Sequence, residues 1–350
     1  MAAIIIRTFT SDKDVQCENK NKIYAPVEGK TFAMAESHRF MREWSQMAKE
    51  INGGGTGLNV FTHYRHQANA DMDIPRPNKD VLYSHAVIDL AAGPVQITLP
   101  QVDDRYFSIC CVDEFEYISA YHTAPVVFKL NQDFLDSRYQ VCVLRLAIKY
   151  PAEVKDLHAI QNQVEIISPI DPDHLPELDV PEYDLDILNQ HRELLLQMSF
   201  HATDFSYAYG FRHEVDPIAH MIGAAAGWSG LSKNLAKYET VEVNENDGEA
   251  EYILTIKGEV PTNCFWSITV YNKKGRLIKG EKNYLNSYNV NVNQDGNVVV
   301  MFTNNKLDDV EDINVLNIEA EWNYLVRIYE PKKEVTNGNW VFPEAVIFKS

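Results

Sequence analysis

The sequence predicts a mainly β protein with helical segments, arranged as two β-sandwiches on either side of a helical insert. Three observations carry this. Short runs of β-branched and aromatic residues, broken by turn formers, occupy residues 81–148 and return from residue 250. Apolar residues recur at helical spacing before the first group of runs and between the two groups. A stretch rich in proline and acid (Pro169, Pro172, Pro176, Pro181) breaks the helical region. A chain of 350 residues suits two domains better than one. Four segments follow: an N-terminal segment with a helix (1–57), a first sandwich (58–150), a helical and linker region (151–240) and a second sandwich (241–350).

In chain order, residues 30–51 carry Phe32, Met34, Ala35, Phe40, Met41, Trp44, Met47 and Ala48 at helical intervals. Gly53, Gly54 and Gly55 end that helix. The period then changes to two. Val87 and Asp89 alternate with Ile88 and Leu90, Val95, Ile97 and Leu99 follow Gly93-Pro94, and Tyr106, Ser108 and Cys110 alternate with Phe107, Ile109 and Cys111. Residues 126–130 and 140–148 continue the pattern. Helical spacing is expected again over 152–167, 185–200 and 216–226, the last capped by Asp216 with Pro217 in its first position. Strands are expected at 252–256, 265–271, 276–279, 297–302, 324–329 and 345–348. Asp295-Gly296 is a hairpin signal.

Composition narrows the function classes. The formal net charge is −18, with 45% hydrophobic and 23% charged residues. Such an acidic surface repels phosphate backbones and anionic lipid, so neither nucleic acid nor a membrane is expected as a partner. A small-molecule ligand is expected instead, and a homo-oligomer is compatible with the composition. The five cysteines (Cys17, Cys110, Cys111, Cys142, Cys264) are odd in number and form no CxxC pair. Buried free thiols in a reducing compartment are the simplest reading, and the expected location is the cytoplasm. Residues 1–10 hold an apolar run of five without the flanks of a signal peptide, and no run is long enough to span a bilayer.

Several ordered motifs resemble one family. PNKDVLYSHAVIDL (77–90), Gly93-Pro94-Val95, Leu99-Pro100 and RYFSICCVDEFEY (105–117) resemble the DUF1254 pattern. GWSGLSKNLAKY (227–238), CFWSITVYN (264–272), Asp295-Gly296 and VRIYEPKKEVTNGNW (326–340) resemble its DUF1214 partner. The chain departs from the family at Ser37 and His38, and at 314–317, where NVLN replaces Asn-Trp-Leu-Pro. The resemblance implies an immunoglobulin-like N-terminal sandwich, a helical segment and a C-terminal jelly-roll sandwich. It implies no settled chemistry.

The matched motifs contain a polar set of Asn78, Asp80, Tyr83, Asp89, Arg105 and Asp113. An aspartate at the edge of a buried strand either pairs with a base or titrates high, and an arginine can grip an anionic group in bidentate fashion. Asp80, Arg105, Asp113 and Tyr83 are therefore the candidate catalytic residues. Asn78, His63, Arg327, Trp266 and Tyr271 are the candidate substrate-binding residues. The functional reading is a hydrolase or lyase acting on a small or amphiphilic anionic substrate in a cleft between the sandwiches. The structural alternative is an Asp80–Arg105 or Asp113–Arg105 ion pair in a non-catalytic binding or oligomeric module. A divalent-metal enzyme is a further alternative, resting on the loose pairs His63/His66, His201/Asp204 and His213/Glu214, none of which completes an HExxH motif. No GxSxG elbow, Walker loop or GxGxxG is present.

Overall fold

The computed structural model describes residues 23–72, 76–135, 137–199, 205–304 and 314–348. Cys17, the apolar run at 2–6, His201 and Asp204 lie outside the described residues. The elements in order are α1 (Phe32–Asn52), β1 (Thr62–His63), β2 (Val81–Asp89), β3 (Val95–Leu99), β4 (Phe107–Asp113), β5 (Ile118–Thr123), β6 (Val126–Leu130) and β7 (Tyr139–Ala147). Then come α2 (Val154–Gln161), β8 (Glu165–Ile167), α3 (Leu185–Ser199), α4 (Pro217–Gly227), β9 (Ala236–Glu242), β10 (Tyr252–Lys257) and β11 (Trp266–Tyr271). The chain continues with β12 (Tyr284–Asn286), β13 (Asn297–Thr303), β14 (Asn314–Asn317), β15 (Asn323–Tyr329), α5 (Lys333–Thr336) and β16 (Val346–Ile347).

These strands make four sheets. Order β1-β2-β7-β4-β5 faces β6-β3-β8, and order β12-β11-β15-β9 faces β14-β13-β10-β16. The protein is thus mainly β, with two sandwiches and a few helices. Alternation along each strand divides its side chains between two cores. Leu82, Ile88, Phe107, Ile109 and Leu144 fill the first sandwich. Leu254, Ile268, Phe302, Trp322 and Val326 fill the second. The opposite faces of β2, β7 and β4 and of β11 and β15 meet in a third core. There Tyr83 and Val143 join Phe265, Leu325 and Tyr329, and α1 adds Phe40, Met41 and Trp44. Tyr106 of the first sandwich packs against Phe265 and Tyr329 of the second, with ring centroids 5.7 and 5.1 Å apart. Burying such a side chain contributes about 1.5–3 kcal/mol, so this apolar seam holds the two sandwiches together.

The helix stops behave as expected. Gly53 takes a left-handed conformation (φ 76°) after α1. The Asp216 side chain accepts hydrogen bonds from the Ile218 and Ala219 amides (3.0 and 2.9 Å), with Pro217 first in α4. Three expectations need correction. The helix expected to run to residue 167 ends at Gln161, and Glu165–Ile167 is instead a strand paired with β3. Residues 276–279 form no strand; only Leu277 bridges to Tyr271, across the turn at Gly275. Ala236–Glu242, which begins inside the stretch read as helical and linker, is an edge strand of the second sandwich. The NVLN departure is β14, which pairs parallel with β13. No helix among the described residues is long and apolar enough to cross a membrane.

One buried group makes the fold acid-sensitive. His85 on β2 stacks on Trp44 at 4.1 Å, and neither ring nitrogen has a hydrogen-bond partner among the described residues. Burial, with His63 nearby, pushes its pKa down to about 3. The unfolded chain therefore binds a proton near pH 6.5 that the folded chain refuses until about 3. The stability tied to neutral His85 is present above pH 6.5 and is lost as pH falls toward 3. His85→Phe is expected to keep the Trp44 stack and flatten stability between pH 6.5 and 4, measured by urea unfolding at several pH values. An unchanged acid slope would contradict this.

Candidate functional site

The seam between the sandwiches contains two arginines, each at the centre of a three-residue polar row. Residues directly opposite one another on paired strands point to the same face. Arg145 on β7 lies opposite Tyr83 on β2 and Ser108 on β4. Arg327 on β15 lies opposite Ser267 on β11 and Tyr238 on β9. Both rows sit on the strand faces turned toward the seam, and both arginines are buried.

The two guanidinium groups are held differently. Arg327 donates from Nη1 to Thr269 Oγ1 (3.0 Å), and from Nη2 to the Tyr271 hydroxyl (2.8 Å) and the Arg76 carbonyl (3.1 Å). The Tyr271 hydroxyl in turn donates to the Pro77 carbonyl (2.8 Å). Asp80 lies near Arg327 and favours its charged form. Arg145 donates from Nη2 to the Ser229 carbonyl (2.9 Å), and its guanidinium centre lies 5.7 Å from the Tyr83 ring. No carboxylate pairs with Arg145 among the described residues. Arg145 Nη1, Arg327 Nε and the Tyr238 hydroxyl have no hydrogen-bond partner there. Burial pushes the Tyr238 hydroxyl upward in pKa, and both Arg145 and Arg327 pull it back. Tyr238 is therefore within electrostatic reach of both cations.

Asp80 precedes β2, where the chain enters the seam. Its amide donates to Asn78 Oδ1 (2.9 Å), an Asx turn fixing the approach. Asn78 Nδ2 donates to the hydroxyls of Tyr329 (2.7 Å) and Tyr83 (3.3 Å). Asp80 Oδ2 accepts from the Ser267 hydroxyl, while Oδ1 has no hydrogen-bond partner among the described residues. Burial pushes the Asp80 carboxyl up to about 6, against the pull of Arg327, Ser267 and Lys79. The folded chain thus holds this proton over a pH range in which the unfolded chain has lost it. Ionised Asp80 lowers stability above pH 6, and the penalty fades as pH falls toward 3.8. At 1.36 kcal/mol per pKa unit, Asp80→Asn is expected to stabilise the protein by about 1–3 kcal/mol at pH 7.5 and by far less at pH 4. Urea unfolding at both pH values tests this; an equal effect at both would contradict it.

The sequence-predicted residues divide clearly. Asp80, Tyr83, Asn78, Tyr271 and Arg327 come together in the seam. Arg105 does not join them: it pairs with Asp103 (2.6 Å) and Glu153 (3.1 Å), beside Lys149. Neither expected Arg105 ion pair forms, because two nearer acids claim the guanidinium. Asp113 caps its own turn, with Oδ1 accepting from the Phe115 and Tyr117 amides (both 2.9 Å), and Arg212 stands 3.7 Å away. Burial pushes its carboxyl up to about 6. Asp89 pairs with Arg138 at 2.8 Å. His63 bonds Ser84 Oγ (2.7 Å) on the edge strand β1, and burial lowers its pKa to about 4. Trp266 faces the core of the second sandwich, edge-on to Phe342. Arg145, Tyr238 and Ser267 are the seam residues absent from the sequence reading. The available signal was a lone arginine inside the apolar run VCVLRLAI. No three His, Cys, Asp or Glu side chains among the described residues stand together as a metal site requires.

Residues 58–127 match the family model described as "Protein of unknown function (DUF1254)". Residues 235–333 match the one described as "Protein of unknown function (DUF1214)". The fold is similar to that of the VPA0106 protein from Vibrio parahaemolyticus, at 17% identity and a TM-score of 0.69 over 92% of this chain and 98% of that one. It is also similar to an uncharacterized protein from Burkholderia cenocepacia, at 12% identity and a TM-score of 0.51 over 93% of this chain and 91% of that one. At these identities the likeness establishes the fold alone. No curated protein matches the chain. Asp80 and Tyr83 fall inside the first matched region, and Tyr238, Ser267 and Arg327 inside the second. The chain thus carries a DUF1254 region followed by a DUF1214 region.

Proposed function

We propose that the seam binds a small anionic ligand between Arg145, Tyr238 and Arg327, and that Asp80 exchanges a proton with it, as a hydrolase or lyase requires. One observation carries the reading: Arg145 is a fully buried cation with no carboxylate partner and an N–H without a hydrogen-bond partner among the described residues. An uncompensated buried charge costs several kcal/mol, and an anion seated beside it would offset that cost. Asp80, titrating near 6 with one free oxygen, is poised for acid–base work near neutrality. Arg145, Arg327 and Asp80 are all buried, so a ligand enters through local opening and associates slowly.

Thermal unfolding with propionate, phosphate or sulfate, against chloride, tests the binding half. At a hundred times its Kd, a ligand adds about 2.7 kcal/mol. At least one of the three anions is expected to raise the midpoint of the wild type and not of Arg145→Met. No shift with any of them would sink the reading. For the catalytic half, Asp80→Asn is expected to lower turnover at this site by about a hundredfold or more while anion binding persists. The closure of the seam favours a second reading, a module that holds its anion unchanged. Undiminished turnover in Asp80→Asn would remove Asp80 from the chemistry and leave binding as the role of the cluster. The unbridged thiols of Cys110, Cys111 and Cys142, all buried, support a reducing compartment such as the cytoplasm.

A further inference from the structure

The wall behind Arg145 has a chemistry of its own. Ser229 follows α4 and links two buried ionisable side chains through its backbone. Its carbonyl accepts from Arg145 Nη2 (2.9 Å), and its amide donates to Glu116 Oε1 (2.9 Å). Ser229 and Glu116 are 1% and 2% exposed. Ser229 Oγ and Glu116 Oε2 have no hydrogen-bond partner among the described residues, and neither has Arg145 Nη1. Three unsatisfied polar atoms thus lie on three consecutively bonded residues.

The backbone here is held in an unfavourable form. Ser229 has φ 60° and Glu116 has φ 67°, the left-handed region in which glycine is the low-strain choice. The surroundings fix both. Trp228 Nε1 donates to Ser37 Oγ (3.0 Å), and a Cβ on Gly230 would lie 2.6 Å from the Tyr209 ring. The Asp113 cap organises the turn that presents Glu116. A serine kept at positive φ with its hydroxyl unsatisfied points to a use for that hydroxyl.

We propose that Ser229 and Glu116 form the second half of the anion site and bind an oxygen substituent of the ligand, which makes the ligand class hydroxy or oxo acids. This rests on the anion reading of Arg145. The Arg145 guanidinium takes the acid group. The Ser229 hydroxyl and the Glu116 carboxyl take a hydroxyl or carbonyl oxygen next to it. Burial pushes the Glu116 carboxyl well above its ordinary range, so it carries a proton to donate from Oε2 while Oε1 accepts from the Ser229 amide. A neutral carboxylic acid donating to a ligand oxygen is a workable arrangement in an apolar site.

The test is a calorimetric titration of the full chain with propionate and with glycerate, which carries hydroxyls at both neighbouring carbons. Glycerate is expected to bind at least about tenfold more tightly, because a polar wall left unpaired by propionate penalises it. The advantage should shrink below about threefold in Ser229→Gly, which relieves the backbone and removes the hydroxyl, and in Glu116→Leu. Ser229→Gly should weaken glycerate binding far more than propionate binding. Ser229→Gly keeps the test decisive if Glu116→Leu fails to fold. Equal affinity of the wild type for the two acids would overturn the hydroxyl subsite and leave the anion site standing. Failure of both acids to bind would overturn this inference, and the anion site falls with it if phosphate and sulfate also fail to bind.

Discussion

Arg327→Ala is expected to remove about 3–5 kcal/mol of folding stability, among the largest losses of any single substitution in this chain. The side chain donates to Thr269, Tyr271 and the Arg76 carbonyl, and it draws Asp80 toward its charged form. Thr269 and Tyr271 belong to the second sandwich, whereas Arg76 and Asp80 lie on the chain entering the first. Truncation leaves three acceptors unpaired in the seam and exposes Asp80 to the full effect of burial. Urea unfolding measures the loss. A change below about 1 kcal/mol would place Arg327 among the surface-like residues and contradict its role as the fastening between sandwiches.

Arg145→Met is expected to do the reverse. Without ligand, it should raise stability by about 1–3 kcal/mol, since replacing a buried charge with an apolar side chain of similar volume is often stabilising. Arg145 has one hydrogen bond to backbone, a polar contact with the Cys110 thiol and no carboxylate among the described residues, so little is lost with the charge. The methionine keeps contact with the Tyr83 ring and the Cys110 thiol. Two arginines alike in burial and in their place within a polar row should thus respond with opposite signs. The difference lies in what each is bonded to. A residue that destabilises the unliganded protein is best explained by what it binds.

Much of the fold is legible in the sequence, because its signals are local. The alternation in VLYSHAVID and the apolar spacing from Phe32 to Ala48 each depend on one element's own geometry. So does the Asp216-Pro217 start of α4. Glu165–Ile167 was less legible, since a three-residue strand adjoining a helix lacks a period of its own. The candidate site depends on register and on contact between distant segments. Asp80, Tyr83 and Arg327 stand out as polar residues in apolar strands. Nothing local shows that Tyr83 lies opposite Arg145, or that Tyr238 lies opposite Arg327. Arg105 illustrates the converse: it is close in sequence to the Asp80 motif, yet Asp103 is two residues away and satisfies it. The positive φ of Glu116 and Ser229 has no signature in residue type, because neither is a glycine.

The central claim is that the charge on Arg145 serves a bound anion and not the fold. Urea unfolding of the wild type and of Arg145→Met, each with and without saturating propionate, tests it most directly. The expected result is a variant that starts above the wild type and gains nothing from propionate, while the wild type rises with it. A variant that starts below the wild type, with propionate affecting neither protein, would make Arg145 a structural fastening and contradict the claim.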